Sequence, residues 1–223
     1  MRCGLILAGG DSTRMGMEKH SLKISQVGMV EMVAEALQSS GCEPLLIATR
    51  KGRPWPGWDG EVCSGTEVLG VKPGSTPDGG RKAIFVADDR GWVGPQAGLA
   101  SGLHVARDLG CEWVQLAPCD IPLLNRDLLV MLQGVAAPKY GAVVPEGPNG
   151  LEPLLALVQP EMMLEALHRV RESERMSIFA VLEVMVVKKI SRTEIVQRGI
   201  DDSSFLNVNS PEDLHLARDL SNR

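Results

Sequence analysis

Aromatic residues supply only 4% of this chain, so a buried core has to be built from aliphatic side chains. Cysteine is sparse too: Cys3, Cys42, Cys63, Cys111 and Cys119 lie far apart with no C-x-x-C pair. That spacing argues against a zinc site and a disulfide scaffold, and it fits a reducing cytoplasm. Basic charge is not in excess, since the formal net charge is -5 and the lysines and arginines are scattered. Without a basic stripe, nucleic acid is not an expected partner. No uncharged run is long enough to span a bilayer. The apolar run from Gly4 to Ala8 is short and ends in glycines, unlike a secretory leader. The expectation is a cytoplasmic protein with no membrane partner. His20, His104, His168 and His215 show no metal-ligand spacing and are expected on the surface or on helix faces.

Hydrophobic residues make up 44% and charged residues 23% of the 223 positions. That balance and length suit one globular domain, 1–223, with a substantial core. Apolar runs at Cys3 to Ala8, Pro44 to Ala48, Ala83 to Ala87, Trp113 to Ala117, Gly141 to Val144, Glu152 to Val158 and near Val184 to Val187 read as strands. Helical periodicity follows Val30, Pro95, Asp127, Pro160 and Pro211. Alternation of this kind predicts a layered α/β fold with a largely parallel sheet. Residues 50–81 are rich in proline and glycine, hold the exposed-looking Trp55 and Trp58, and read mostly as loop, with a hairpin around Glu67 to Val71.

The first βα connection reads Leu7-Ala8-Gly9-Gly10-Asp11-Ser12-Thr13-Arg14-Met15-Gly16-Met17-Glu18-Lys19. Ligands in open α/β sheets bind beyond strand carboxyl ends, and glycines let backbone amides close around phosphate oxygens. Two familiar phosphate motifs are excluded, because the spacing is neither G-x-G-x-x-G nor G-x-x-x-x-G-K-[ST]. Leu-Ala-Gly-Gly, with Ser12, Arg14-Met15-Gly16, Lys19 and Leu22, resembles the signature loop of the nucleotidyltransferase superfamily. That superfamily includes the sugar-phosphate nucleotidyltransferases and the molybdenum cofactor guanylyl- and cytidylyltransferases. The resemblance implies a three-layer Rossmann-like fold with a mostly parallel central sheet. It also implies a loop wrapped round the triphosphate, with Lys19 and Arg14 neutralising the charge that grows during transfer.

Asp120 follows the apolar strand Trp113 to Ala117, and Ile121-Pro122 ends that strand. A carboxylate fixed there can be a Mg²⁺ ligand or a turn residue. Pro118-Cys119-Asp120-Ile121-Pro122 resembles a segment of the molybdenum cofactor guanylyltransferases in which the aspartate binds magnesium, which implies Mg²⁺ as cofactor and Asp120 as both metal ligand and catalytic residue. One of Asp88 and Asp89, with Asp88 preferred, resembles the family's nucleotide-contacting aspartate. The implied nucleotide positions are Leu7, Ala8, Gly9, Gly10, Lys19, Asp88 and Asp120. Gly94-Pro95-Gln96-Ala97-Gly98 resembles a further family segment lying near the nucleotide, in which Pro95 suits a helix start and Gly98 permits close backbone approach.

Glu152-Pro153-Leu154 and Phe205-Leu206-Asn207-Val208-Asn209-Ser210-Pro211 also resemble the guanylyltransferases. Ser210 can cap the last helix, with Pro211 at its first position and Glu212 or Asp213 in its first turn. Asn207 and Asn209, two apart, can share one face of an extended segment. With Gly94 and Gly98 they are the implied acceptor-binding positions. Arg175 resembles a family arginine only loosely and reads as a surface residue.

The resemblance runs from Leu5 to Leu214 and is weakest over Arg50 to Arg81. It implies transfer of GMP from GTP to molybdopterin, giving the guanine dinucleotide cofactor and pyrophosphate, alongside proteins that insert molybdenum or receive the cofactor. Ile47-Ala48-Thr49-Arg50 lacks the asparagine often found near the guanine base, so CTP stays open as the nucleotide; a transferase acting on another small phosphate monoester is a further rival within the class. A nucleotide-binding module without turnover is the rival from another class, opposed by Lys19 and Asp120.

Overall fold

This computed structural model describes residues 1–8, 22–50, 58–63, 81–88, 92, 95–173 and 177–222. The first part of the chain runs β1 (Arg2–Leu7), β2 (Lys23–Ile24), β3 (Val27–Gly28), α1 (Met29–Ser39), β4 (Leu45–Thr49), β5 (Trp58–Cys63), β6 (Arg81–Ala87) and α2 (Pro95–Asp108). It continues through β7 (Trp113–Pro118), α3 (Arg126–Gly134), β8 (Ala142–Gly147), β9 (Gly150–Leu151), β10 (Leu157–Val158) and α4 (Pro160–Glu172). The last elements are α5 (Ile178–Glu183), β11 (Val187–Ile190), α6 (Arg192–Gln197) and α7 (Pro211–Ser221).

The strands form a sheet in the order β11-β8-β10-β7-β1-β4-β6-β5, with β9 paired to β8. Pairing is parallel except where β10 runs antiparallel between β7 and β8, and where β9 returns on β8. Every side chain of β4 is buried. A central parallel strand has both faces covered by helices, so its residues are a continuous apolar run without alternation.

The two faces carry separate cores. Leu5, Leu46, Val86, Val114 and Leu116 pack with Leu99 and Leu103 of α2 and with Met163 and Leu167 of α4. Ile6, Ile47, Phe85 and Ala117 pack on the other face with Val33 and Leu37 of α1 and Leu128 and Leu132 of α3. Each fully buried aliphatic side chain is worth about 1.5–3 kcal/mol. A third cluster joins Leu22, Ile24 and Met29 to Val208, Leu214 and Ala217, which ties α7 to the β2–β3 hairpin.

Three expectations need correction, and one segment gains a strand. Strand β5 lies inside 50–81, where most of the segment was expected to be loop, and it pairs in parallel with β6. Trp58 is only 8% exposed, its ring set edge-on to Phe85 at 6.3 Å, so its neighbouring prolines and glycines gave a false picture of exposure. Trp55 and Glu67 to Val71 lie outside the described residues. The expected strand from Glu152 to Val158 is a short 3-10 turn, Pro153–Leu155, followed by two strand residues, because Pro153 fixes its φ and cannot donate to a ladder. The last strand begins at Val187, after α5 and its C-cap residue Val184. Among the described residues no helix is long and apolar enough to cross a membrane.

Candidate active site at the carboxyl edge of the sheet

From β1 the chain is carried by α1 to β4 on one side, and later by α2 to β7 on the other. That reversal of winding next to β1 is where open α/β sheets hold their ligands. The registers pair Leu7 with both Ala48 and Pro118, so β1, β4 and β7 end level. Ala8 N–H donates to Ala48 O at 2.9 Å, and Cys119 N–H donates to Leu7 O at 3.2 Å. Half-buried Leu7 and Ala8 therefore lead directly toward the glycine loop. Gly9, Gly10, Arg14, Lys19, Asp89, Gly94 and Arg175 lie outside the described residues.

On the β4 side, Asp88 N–H donates to Thr49 O at 3.0 Å, which fixes the aspartate just past the end of β6. Burial raises the Asp88 carboxyl above its ordinary range, and the positive charge of Arg50 opposes that rise. Its Oδ1 is buried with no hydrogen-bond partner among the described residues, as are Thr49 Oγ1 and Gln96 Oε1. Gly98 of α2 stands against this group: a Cβ there would lie 3.0 Å from both Ala48 Cβ and Asp88 Oδ1. The absent side chain lets the helix start close on the aspartate. Trp92 is buried on α4, edge-on to His168 at 5.6 Å and beneath the Arg171 guanidinium at 4.9 Å.

On the β7 side, half-buried Asp120 follows the strand by two residues. Its carbonyl accepts from Val208 N–H at 2.8 Å. Val208 is fully buried in the third cluster, while Asn207 and Asn209 on either side of it are exposed. Burial alternates along this segment, and the Val208 bond ties it to the residue Asp120. Ser210 caps α7, accepting from Asp213 N–H at 3.1 Å, while the Asp213 carboxylate accepts from the Asn209 and Ser210 N–H groups at 3.0 and 2.8 Å. Those bonds, that of Asn209 foremost, hold the Asp213 carboxyl below its usual range. Asp213, in place of Glu212, completes the box.

The edge thus divides. Gly98, expected among the acceptor-binding positions, packs against Asp88 on the β4 side, and the segment of Asn207 and Asn209 is bonded to Asp120 on the β7 side. Thr49, Gln96 and Glu152 were given no role from the sequence. The signal for Thr49 and Gln96 is a polar residue at the buried end of a strand or buried start of a helix. Among the described residues, no group of three or more His, Cys, Asp or Glu side chains forms a metal cluster.

The fold matches that of molybdopterin-guanine dinucleotide biosynthesis protein A from Archaeoglobus fulgidus, at a TM-score of 0.69 and 20% identity, covering 100% of this chain and 99% of that one. It also matches 2-C-methyl-D-erythritol 4-phosphate cytidylyltransferase from Thermus thermophilus, at a TM-score of 0.65 and 18% identity, over 99% and 98% of the two chains. The class is nucleotidyltransferase. Residues 4–186 match the model of the MobA-like NTP transferase domain, and the chain belongs to that family. A relative from Natronomonas pharaonis, named probable molybdenum cofactor guanylyltransferase, is 30% identical over 219 residues, which are 98% of this chain and 97% of the relative.

Proposed function

We propose that this nucleotidyltransferase moves GMP from GTP onto the terminal phosphate of molybdopterin, giving the guanine dinucleotide cofactor and pyrophosphate. The observation that supports the reading is the bond from Val208 N–H to Asp120 O at 2.8 Å, which ties the segment carrying two exposed asparagines to the residue proposed to bind the metal. Asp120 and the phosphate oxygens of the substrates are an all-oxygen set of the kind Mg²⁺ takes with one or two carboxylates. A bound magnesium ion would neutralise charge on those phosphates. On this reading Arg14, Lys19 and the Gly9-Gly10 amides, assigned from sequence, hold the triphosphate. Leu7 and Ala8 lead into that loop, and Asp88 with Gly98 faces the nucleoside. Asn207 and Asn209 orient the acceptor phosphate for in-line attack at the α-phosphorus, and positioning and charge supply most of the catalysis. The attacking phosphate is already anionic, so no side chain need act as general base.

The test is pyrophosphate release from protein supplied with molybdopterin, Mg²⁺ and one of GTP, CTP, ATP or UTP. GTP-selective release is the expected result. CTP selectivity would assign the chain to the cytidylyl branch, which the Thr49-Arg50 strand end keeps as a second reading. No release with any nucleotide, from folded protein and active acceptor, would remove the proposed reaction.

A further inference from the structure

Glu152 belongs to none of the roles above, yet its surroundings are specific. Its N–H donates to Pro145 O at 3.0 Å and its carbonyl accepts from Leu155 N–H at 3.0 Å, fixing it between β9 and the Pro153–Leu155 turn. The Ala156 carbonyl further along accepts from Leu116 N–H at 2.8 Å, so this segment runs back along β7 and sets Glu152 toward the end of the strand that Asp120 follows. A Cβ on Gly147 would meet Phe205 Cδ1 at 3.0 Å and Glu152 Cγ at 3.2 Å. The glutamate stem and the Phe205 ring therefore pack on the same glycine. Asn207 Nδ2 in turn donates to Phe205 O at 3.4 Å, and Val208 is bonded to Asp120. One short run of backbone thus joins Glu152 to the acceptor side of the edge.

The Glu152 side chain is half-buried, and burial raises its carboxyl above the ordinary range. Two carboxylate oxygens can accept from a pair of parallel N–H donors. A 2-amino-4-oxo-pyrimidine ring, as in a pterin, presents such a pair.

We propose that Glu152 is an acceptor-specificity residue, taking the paired N–H donors of the pterin ring while Asn207 and Asn209 face the phosphate end; this rests on the reading that the acceptor is molybdopterin. Guanine carries the same donor edge. Asp88, expected on the nucleotide side, lies across β1 from β7, so GTP affinity is expected to be independent of Glu152.

The experiment compares wild type with Glu152→Gln in calorimetric binding of pterin and of lumazine, which has oxygen in place of the 2-amino group. Sites built to hydrogen-bond a ligand group discriminate strongly against analogues lacking it. Wild type is expected to favour pterin by about tenfold or more, and Glu152→Gln, which offers a donor opposite that oxygen, to lose or reverse the preference. GTP affinity is expected to hold and the melting temperature not to fall, whereas KM for molybdopterin in pyrophosphate release rises. Retained pterin preference in the variant, or an equal loss of GTP affinity, would overturn the role of Glu152 alone. Absence of wild-type release with molybdopterin and any nucleotide would overturn the acceptor reading, and the inference with it.

Discussion

Burial and Arg50 pull the Asp88 carboxyl in opposite directions, and burial is the larger effect. A carboxyl whose pKa is raised in the fold binds its proton more readily folded than unfolded. Its charge therefore destabilises the fold as pH rises through the interval between the two values, and the cost is absent below the unfolded value. Asp88→Asn is expected to raise the melting temperature at neutral pH, with the gain vanishing in acid, and to weaken nucleotide binding. A pH series of melting curves checks this, and a gain that persists unchanged in acid would contradict it. Asp120 holds Val208 through its carbonyl, which any side chain preserves. Asp120→Ala is accordingly expected to keep its fold by circular dichroism while pyrophosphate release falls on the order of 100-fold. Wild-type rates in that variant would remove the metal assignment.

At the scale of elements, α2 sits close on β1 because Gly102 has no side chain. A Cβ there would fall 2.5 Å from both methyl carbons of Leu5, a residue with no exposed surface and so no room to turn aside. Gly102→Ala improves helix propensity but overpacks this contact, and a net loss of about 1–3 kcal/mol is expected in urea unfolding. A stabilised variant would show that the helix can shift outward. The same element shows what periodicity conveys. The apolar pattern after Pro95 marks a helix, whereas the need for glycine at 98 and 102 comes from Asp88 and Leu5, far off in sequence. The Glu152 to Val158 run shows the opposite limit, since Leu155, Ala156, Leu157 and Val158 are buried while Pro153 imposes a turn.

Over the whole molecule, the C-terminal segment completes the edge begun by β1. Val208 is buried with Leu22, Ile24, Met29, Leu214 and Ala217, so residues from both ends of the chain hold Asn207 and Asn209 in place. Val208→Ala leaves a void in that cluster and is expected to cost about 2 kcal/mol. It should also raise KM for the acceptor more than KM for GTP, as steady-state kinetics with each substrate varied would measure. An equal rise in both would mean that the cluster supports the site only through general stability.

Apolar runs and glycine and proline punctuation were enough to determine the layered α/β class and the order of its main elements, because each depends on local periodicity, while the resemblance to a known family pointed to Asp120, Asn207, Asn209 and one of Asp88 and Asp89 as candidates. Tertiary structure alone decided that Gly98 faces Asp88, that Val208 binds the Asp120 carbonyl, that Trp58 is buried on Phe85 and that Glu152 shares a glycine with Phe205. Those are contacts across the sheet, set by strand order and register, which no local pattern of side chains encodes.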